Sequence, residues 1–313
     1  MFSLLKKKVA SNALVAVCPS AQGLGLARVR READLPPVLE ICEFFPCAVK
    51  DQTAQLVRLC KDYDLDGYQC LTVMDLGSYN LPLVEAPDVQ SSELRAAIRW
   101  RIKDLIDFHV DDAVIDVFEV PNQKAAGRNT MMYAVVARTS AVKQRIDRLT
   151  QADINLQIVD IPELALRNLA TLLPEDVGGV ATLYLQQDAG LITVTRQSTM
   201  YLSRRIDVGT AGLIGIDPEQ RQRRLDSIIV EIQRTLDYYE SHFSQPAVSN
   251  VVITPVTDEL NDIASYLNQQ LDMQVREMDL NQLVDLPEAM DKEQQANCLL
   301  AVGAALRQEA KSL

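Results

Sequence analysis

The chain has 313 residues, of which 48% are hydrophobic and 24% charged, and a formal net charge of −12. That length predicts two lobes rather than one small core, and the acidic balance argues against the basic field of a nucleic-acid binder. No apolar run is long enough to span a bilayer, and the opening MFSLLKKK lacks the apolar stretch of a signal peptide, so the chain is expected in the cytosol. The six cysteines form no CxxC pair and read as reduced, buried thiols. His109 and His242 stand far apart, which leaves no zinc spacing and no sequence support for a histidine-activated nucleophile.

The first segment is rich in strands. Ala13 to Cys18 is a short apolar run suited to a buried strand, Leu24 to Arg31 alternates as its hairpin partner, and Val38 to Phe45 is a third strand. Gln52 to Asp62 carries Leu56, Val57 and Cys60 at a helical period, and Gln69 to Leu76 reads as a strand again. In Ser91 to Phe108, Leu94, Ile98, Ile102, Leu105 and Ile106 form one apolar stripe of an amphipathic helix. Its start is acidic and capped by Ser91 or Ser92. Its outer face carries Arg95, Arg99, Arg101 and Lys103, a solvated face or a docking face. Strands follow at Ala113 to Val120 and Met131 to Arg138, separated by the loop PNQKAAGRNT.

Ser140 to Ala152 is a predicted helix and Leu156 to Ile161 a strand, after which Pro162 suits a helical first turn. Gly179 to Gly209 reads as strand, turn, strand, turn, strand. The most legible element is Asp217 to Phe243. Asp217 is a good cap, Pro218 fits the first helical position, and Leu225, Ile228, Ile229, Ile232, Leu236 and Tyr239 make a buried stripe. A strand at Ser249 to Thr254, a helix at Asp258 to Leu271, a strand at Met273 to Glu277 and a helix at Glu293 to Ala310 complete the chain.

Two stretches thus run strands first and helices after, an order that points to the actin-like ATPase fold, in which two α/β lobes face a nucleotide cleft. Five stretches sharpen the resemblance: Ile102 to Val120, Val159 to Ala170 (VDIPELALRNLA), Ser203 to Gly209 (SRRIDVG), Glu231 to Tyr239 (EIQRTLDYY) and Ala301 to Arg307 (AVGAALR). Together, in chain order, they resemble the PilM/MshI family of proteins that build type IV pili, including the mannose-sensitive haemagglutinin pilus. The cytoplasmic domain of the type II secretion protein GspL is a more distant likeness. The resemblance implies an α/β, two-lobed actin-like ATPase fold with a small inserted α+β subdomain. Residues 1–165 would form the first lobe with an insert at about 80–138, residues 166–290 the second lobe, and residues 291–313 a helix returning to the first.

ATP-binding members of that superfamily need two hairpin turns that offer backbone N–H groups and an Asp each, and a Gly-Gly turn against the adenosine. Here Val17 and Pro19 stand where the first Asp and Gly are placed, and Tyr184 and Gln186 where the second pair falls. Pro255 and Val256 occupy the adenosine turn. Proline has no N–H to offer a phosphate. The expectation is a retained fold with an eroded site and no cofactor. If ATP and Mg²⁺ are held, Ser20, Gln186, Gln187, Asp188 and Gly190 are the residues to hold them.

The resemblance further implies a scaffold that docks the cytoplasmic N-terminus of a PilN-like inner-membrane pilus protein beside the insert, so that the chain sits at the cytoplasmic face of the inner membrane. Ile98, Trp100, Ile102 and Leu105 are the candidate contacts, Trp100 being the only tryptophan and lying off the main stripe. A motor ATPase is a second candidate partner, through Arg221, Arg223 and Arg224 in a GspL-like arrangement. The competing reading is an active ATPase or kinase using Asp75 at a strand end as base, against a plain turn Asp before Gly77.

Overall fold

The computed structural model describes residues 12–32, 35–120, 130–243 and 245–308. The basic start of the chain and most of the loop that begins at Pro121 lie outside the described residues. Strands β1 (Ala13–Pro19), β2 (Gly23–Arg30) and β3 (Val38–Pro46) form an antiparallel meander. A parallel neighbour needs a crossover, and α1 (Gln52–Asp62) supplies it, burying Gln52, Leu56, Leu59 and Cys60 before β4 (Gln69–Val73) joins β1 in parallel.

The chain then leaves this sheet. β5 (Tyr79–Asn80), β6 (Leu83–Glu85), α2 (Ser91–Ile102), β7 (Ala113–Glu119) and β8 (Met131–Arg138) form a small unit in which β8 pairs antiparallel with each of the other three strands. α3 (Thr139–Thr150) leads back to β9 (Leu156–Asp160), parallel to β4, giving the order β3-β2-β1-β4-β9.

A second sheet repeats the pattern. α4 (Pro162–Ala170) leads into the meander β10 (Val180–Leu185), β11 (Gly190–Arg196) and β12 (Thr199–Ile206). The long α5 (Pro218–Phe243) crosses to β13 (Asn250–Ile253), and α6 (Ile263–Gln270) crosses to β14 (Gln274–Glu277). The order β12-β11-β10-β13-β14 is that of the first sheet. α7 (Lys292–Ala305) closes the chain, capped by Asp291, whose carboxylate accepts the Gln294 N–H at 2.7 Å.

Two helices join the sheets. α7 packs on β1, β2, β3 and β4, α4 packs on β10, β11 and β12, and the helices pack on each other. One apolar cluster therefore holds Ala16, Leu71 and Val73 of the first sheet, Val180, Leu191 and Val252 of the second, and the faces of α4 and α7 between them. Small residues on α7 (Ala301, Gly303, Ala304, Ala305) permit the close approach.

The inserted unit has its own core of Val84, Ile98, Ile102, Val117, Met132, Ala134 and Val136, and it also docks on the edge of the second sheet. Tyr133 of β8 donates to the Tyr201 carbonyl at 3.3 Å and accepts the Ser203 N–H at 3.2 Å, both on β12. Phe118 lies on its ring at 5.3 Å.

Local differences from the periodic reading have local causes. α2 stops at Ile102, not Phe108. Asp104 and Asp107 would put carboxylates into its last turns, against the helix dipole. Instead the Leu105 N–H closes on the Ile102 carbonyl at 2.8 Å, Asp107 pairs with Arg138 at 3.4 Å, and the Arg138 guanidinium lies 4.2 Å from the Phe108 ring centre. The Asp258 to Leu271 stretch divides into a 3₁₀ turn, Asp258–Leu260, and α6. At α5, Asp217 caps as expected, accepting the Glu219 and Gln220 amides at 2.9 and 3.4 Å, and the six stripe residues are buried.

Candidate functional site

The first hairpin turn, Ser20 to Gln22, joins β1 to β2. Its polar groups are turned on one another. The Ser20 N–H donates to the Gly23 carbonyl at 2.8 Å, and the Ser20 hydroxyl donates to the same carbonyl at 3.2 Å. In return the Ser20 Oγ accepts the Gln22 and Gly23 amides at 3.3 and 3.2 Å. A side chain of the turn thus holds two of the backbone amides that such a turn could otherwise offer to an anion.

Two helices lock the turn from behind. Arg145 of α3, 7% exposed, donates to the Pro19 carbonyl at 3.1 Å and pairs with Asp75 at 2.5 Å. Gln52 of α1 donates to the Ser20 carbonyl at 2.6 Å and accepts from Arg148 at 2.9 Å. Asp75 thus faces a buried guanidinium, and its carbonyl accepts both the N–H and the hydroxyl of Ser78, at 3.0 and 2.6 Å. Burial pushes the Cys18 thiol up to about 12, with Arg145 pulling the other way. That is the opposite of an activated nucleophile.

The signal for Arg145 and Gln52 was present but faint. Arg145 falls on the stripe of Val142 and Leu149, and Gln52 stands four residues before Leu56. A polar residue on a buried stripe needs a partner, and the partner in both cases is the backbone of the hairpin. Ser20→Ala is expected to lower stability by about 1 kcal/mol, read as a shift in the urea midpoint. An unchanged midpoint would mean that the hydroxyl does not order the turn.

The second hairpin turn, Gln186 to Ala189, joins β10 to β11, and the Gln186 N–H closes it on the Ala189 carbonyl at 2.9 Å. The segment after β12 lies directly on it. The Thr210 and Ala211 amides donate to the Gln186 and Gln187 carbonyls at 2.8 and 3.0 Å. A Cβ at Gly209 would stand 2.4 Å from both carbonyls, so only glycine allows this approach. Asp188 lies at the tip of the turn, and Gly190 opens β11 against Ile206 and Val208. Tyr184, where the metal-binding carboxylate was placed, is buried in the apolar cluster between the sheets. Its phenol is held well above the ordinary range by burial first, then by the nearness of Cys18 and Asp75.

The third element follows β13. The Thr254 N–H donates to the Leu183 carbonyl at 2.9 Å, and Pro255 and Val256 are buried, Val256 in the core of the second sheet. The Val256 N–H points to Glu277 at 3.4 Å, whose other carboxylate oxygen pairs with Lys292 at 3.0 Å.

The proposed partner contacts divide. Ile98 and Ile102 are fully buried in the insert's own core, which corrects their assignment as contact residues: a side chain that closes this core offers a partner no surface. Trp100 and Leu105 stand 72% and 56% exposed, with the Lys103 ammonium 5.7 Å from the Trp100 ring centre. The basic face of α2 is engaged locally: Arg99 donates to the Val110 carbonyl at 2.6 Å and Arg101 pairs with Glu85 at 3.1 Å. In the other basic cluster, Arg221 grips Asp262 with both Nη atoms, at 2.7 and 2.6 Å, so it is a tie between α5 and α6.

No protein-family model matches the chain, and no curated protein matches it. Solved structures do. A chain described as "PilM-PilN type IV pilus biogenesis complex" superposes with a TM-score of 0.74 at 16% identity, over 96% of this chain and 98% of that one. The cytoplasmic domain of EpsL, an inner membrane component of the type II secretion system of Vibrio cholerae, gives 0.53 at 13% identity, over 95% and 96%. A Bacteroides thetaiotaomicron protein with an actin-like ATPase fold and unknown function gives 0.53 at 8% identity, over 90% and 96%. The chain has an actin-like ATPase fold of the PilM-like form.

Proposed function

We propose that the chain is a cytoplasmic, non-enzymatic scaffold of type IV pilus assembly that docks the N-terminal cytoplasmic peptide of a PilN-like inner-membrane protein. The carrying observation is the first hairpin: Ser20 occupies two of its backbone amides, while the fold matches a PilM–PilN chain along nearly its whole length. The second turn adds to this reading, because the Thr210 and Ala211 amides are bonded to its Gln186 and Gln187 carbonyls. On this reading Ser20, Gln186, Gln187, Asp188 and Gly190 hold no ATP or Mg²⁺, and no chemical step is assigned to them. The mannose-sensitive haemagglutinin pilus is the system whose family the sequence resembles, and we assign the scaffold to that type of machine. The EpsL likeness favours a type II secretion scaffold as the second reading.

Trp100 is the anchor offered to the partner: it is a large aromatic standing exposed on the insert, a residue type that carries binding energy at interfaces. Calorimetric titration tests both halves of the reading. Mg·ATP should give no binding heat, and the cytoplasmic N-terminal peptide of the PilN-like protein should bind. Trp100→Ala should weaken the peptide by about tenfold or more. Micromolar Mg·ATP binding would return the chain to the nucleotide-dependent switches. Binding of a secretion-system peptide in place of the pilus peptide would favour the EpsL-like role.

A further inference from the structure

A buried carboxylate sits where three parts of the molecule meet. Glu163, 3% exposed, lies in the first turn of α4, the helix between the two sheets. The Tyr79 hydroxyl, from the first strand of the insert, donates to it in a short hydrogen bond. The Ser203 hydroxyl of β12 also bonds to it. Ser203 is the residue whose N–H the insert's Tyr133 accepts, so one carboxylate touches both sides of the contact between insert and second sheet.

The charged groups around it are few and placed on different elements. Asp160, at the end of β9, adds a like charge, which Arg307 and Arg167 offset from their own positions. Arg205 of β12 acts on Tyr79, and Tyr133 of β8 is the remaining titratable neighbour. None of these cations bonds directly to Glu163. Gly77, in the left-handed region at φ 85°, starts the insert, and the Arg205 guanidinium lies on it: a Cβ there would be 2.7 Å from Nη1. The insert therefore leaves the first sheet through a glycine and is held to the body at Glu163.

We propose that Glu163 is a proton-operated latch: the docked insert seals it from water, which favours its neutral form, and once its proton is lost the buried charge loosens the insert about Gly77, against the hydrogen bonds that Tyr79 and Ser203 donate to it. The latch does not depend on which partner the chain docks. Burial raises the Glu163 carboxyl from 4.5 to about 7, with the Tyr79 hydroxyl pulling the other way. The sign follows from the linkage. A folded-state value above the free value means that the docked insert is favoured below about 4.5 and that this preference is lost as pH rises through about 7. If Glu163 becomes hydrated on opening, the opening equilibrium grows roughly 70-fold between pH 5 and pH 8.

Native-state hydrogen exchange of the full chain is the test, with protection corrected for intrinsic rates and referred to amides of α5. Wild-type protection in 79–85 and 131–138 should fall by tens of fold over that range. In Glu163→Gln, which keeps an acceptor for Tyr79 but cannot ionise, protection should be flat. An equal pH response in Glu163→Gln, or a response shared by α5, would overturn the latch. If that variant does not fold, Tyr79→Phe decides. Loss of the donor should move the midpoint of the response to higher pH, and an unmoved midpoint would overturn the proposal.

Discussion

Arg307→Ala is expected to lower stability by about 3–5 kcal/mol, a cost typical of leaving a buried charge without its partner. The Arg307 guanidinium lies 2.8 Å from Asp160, whose side chain is 2% exposed. Asp160 ends β9, and its other oxygen accepts the Ile161 N–H at 2.9 Å, one residue before α4 begins. Beside it Arg31, just past β2, donates to the Leu306 carbonyl at 2.8 Å. The end of α7 thus clamps the first sheet at the point where the chain passes toward the second. Burial raises the Asp160 carboxyl above its usual value even with Arg307 pulling it down, so removing the cation raises it further. A carboxyl raised in the folded state contributes stability at low pH that is lost as pH rises. The deficit of Arg307→Ala should therefore shrink in acid. Asp160→Asn in the Arg307→Ala background should recover part of the loss, since a neutral amide is easier to bury. Thermal melts of the two single variants and the double give the coupling directly. Additive losses would show that the pair is not a unit.

Much of the fold was legible because period and length coincide with burial. Gln52–Asp62 and Met131–Arg138 match their predicted ends, and the stripe of α5 is the one that is buried. β5 and β6 were not visible, since strands of two and three residues exist only because β8 offers them a partner. At the hairpins the sequence placed Pro19 and a glutamine turn but not the side chains that hold the first of them. Arg145 reaches Pro19 across 126 residues and Gln52 reaches Ser20 across 32, and neither pairing has a local signature. The error at Ile98 and Ile102 has a different root. An apolar stripe announces burial and does not say against what; here the insert's own sheet uses it, and the exposed Trp100 lies off the stripe.

Gly303→Ala sets two effects of opposite sign against each other, and the unfavourable one is expected to prevail. Alanine is favoured over glycine within a helix by about 1 kcal/mol, and Gly303 lies within α7. Its Cβ, however, would stand 2.5 Å from the Ala165 carbonyl oxygen and 2.9 Å from that carbonyl carbon, with Leu169 Cδ1 at 3.1 Å. The first two are backbone atoms of α4 and cannot swing aside. α4 and α7 must then part, but each is packed on a sheet on its far side, so parting them disturbs the cluster that joins the two sheets. The hydrogen bond from the Asn168 amide to the Gly303 carbonyl, 2.9 Å and buried, would be strained as well. Overpacking of this kind costs roughly 1–3 kcal/mol beyond the propensity gain, and Gly303→Val, with two more carbons and no propensity gain of that size, should cost more. Gly67→Ala is the control: nothing lies within 4 Å of a Cβ there, and the change should stay within about 0.5 kcal/mol. A higher melting temperature for Gly303→Ala would mean that the helix pair can separate freely, and the close contact of α4 with α7 would then not be what fixes the two sheets to each other.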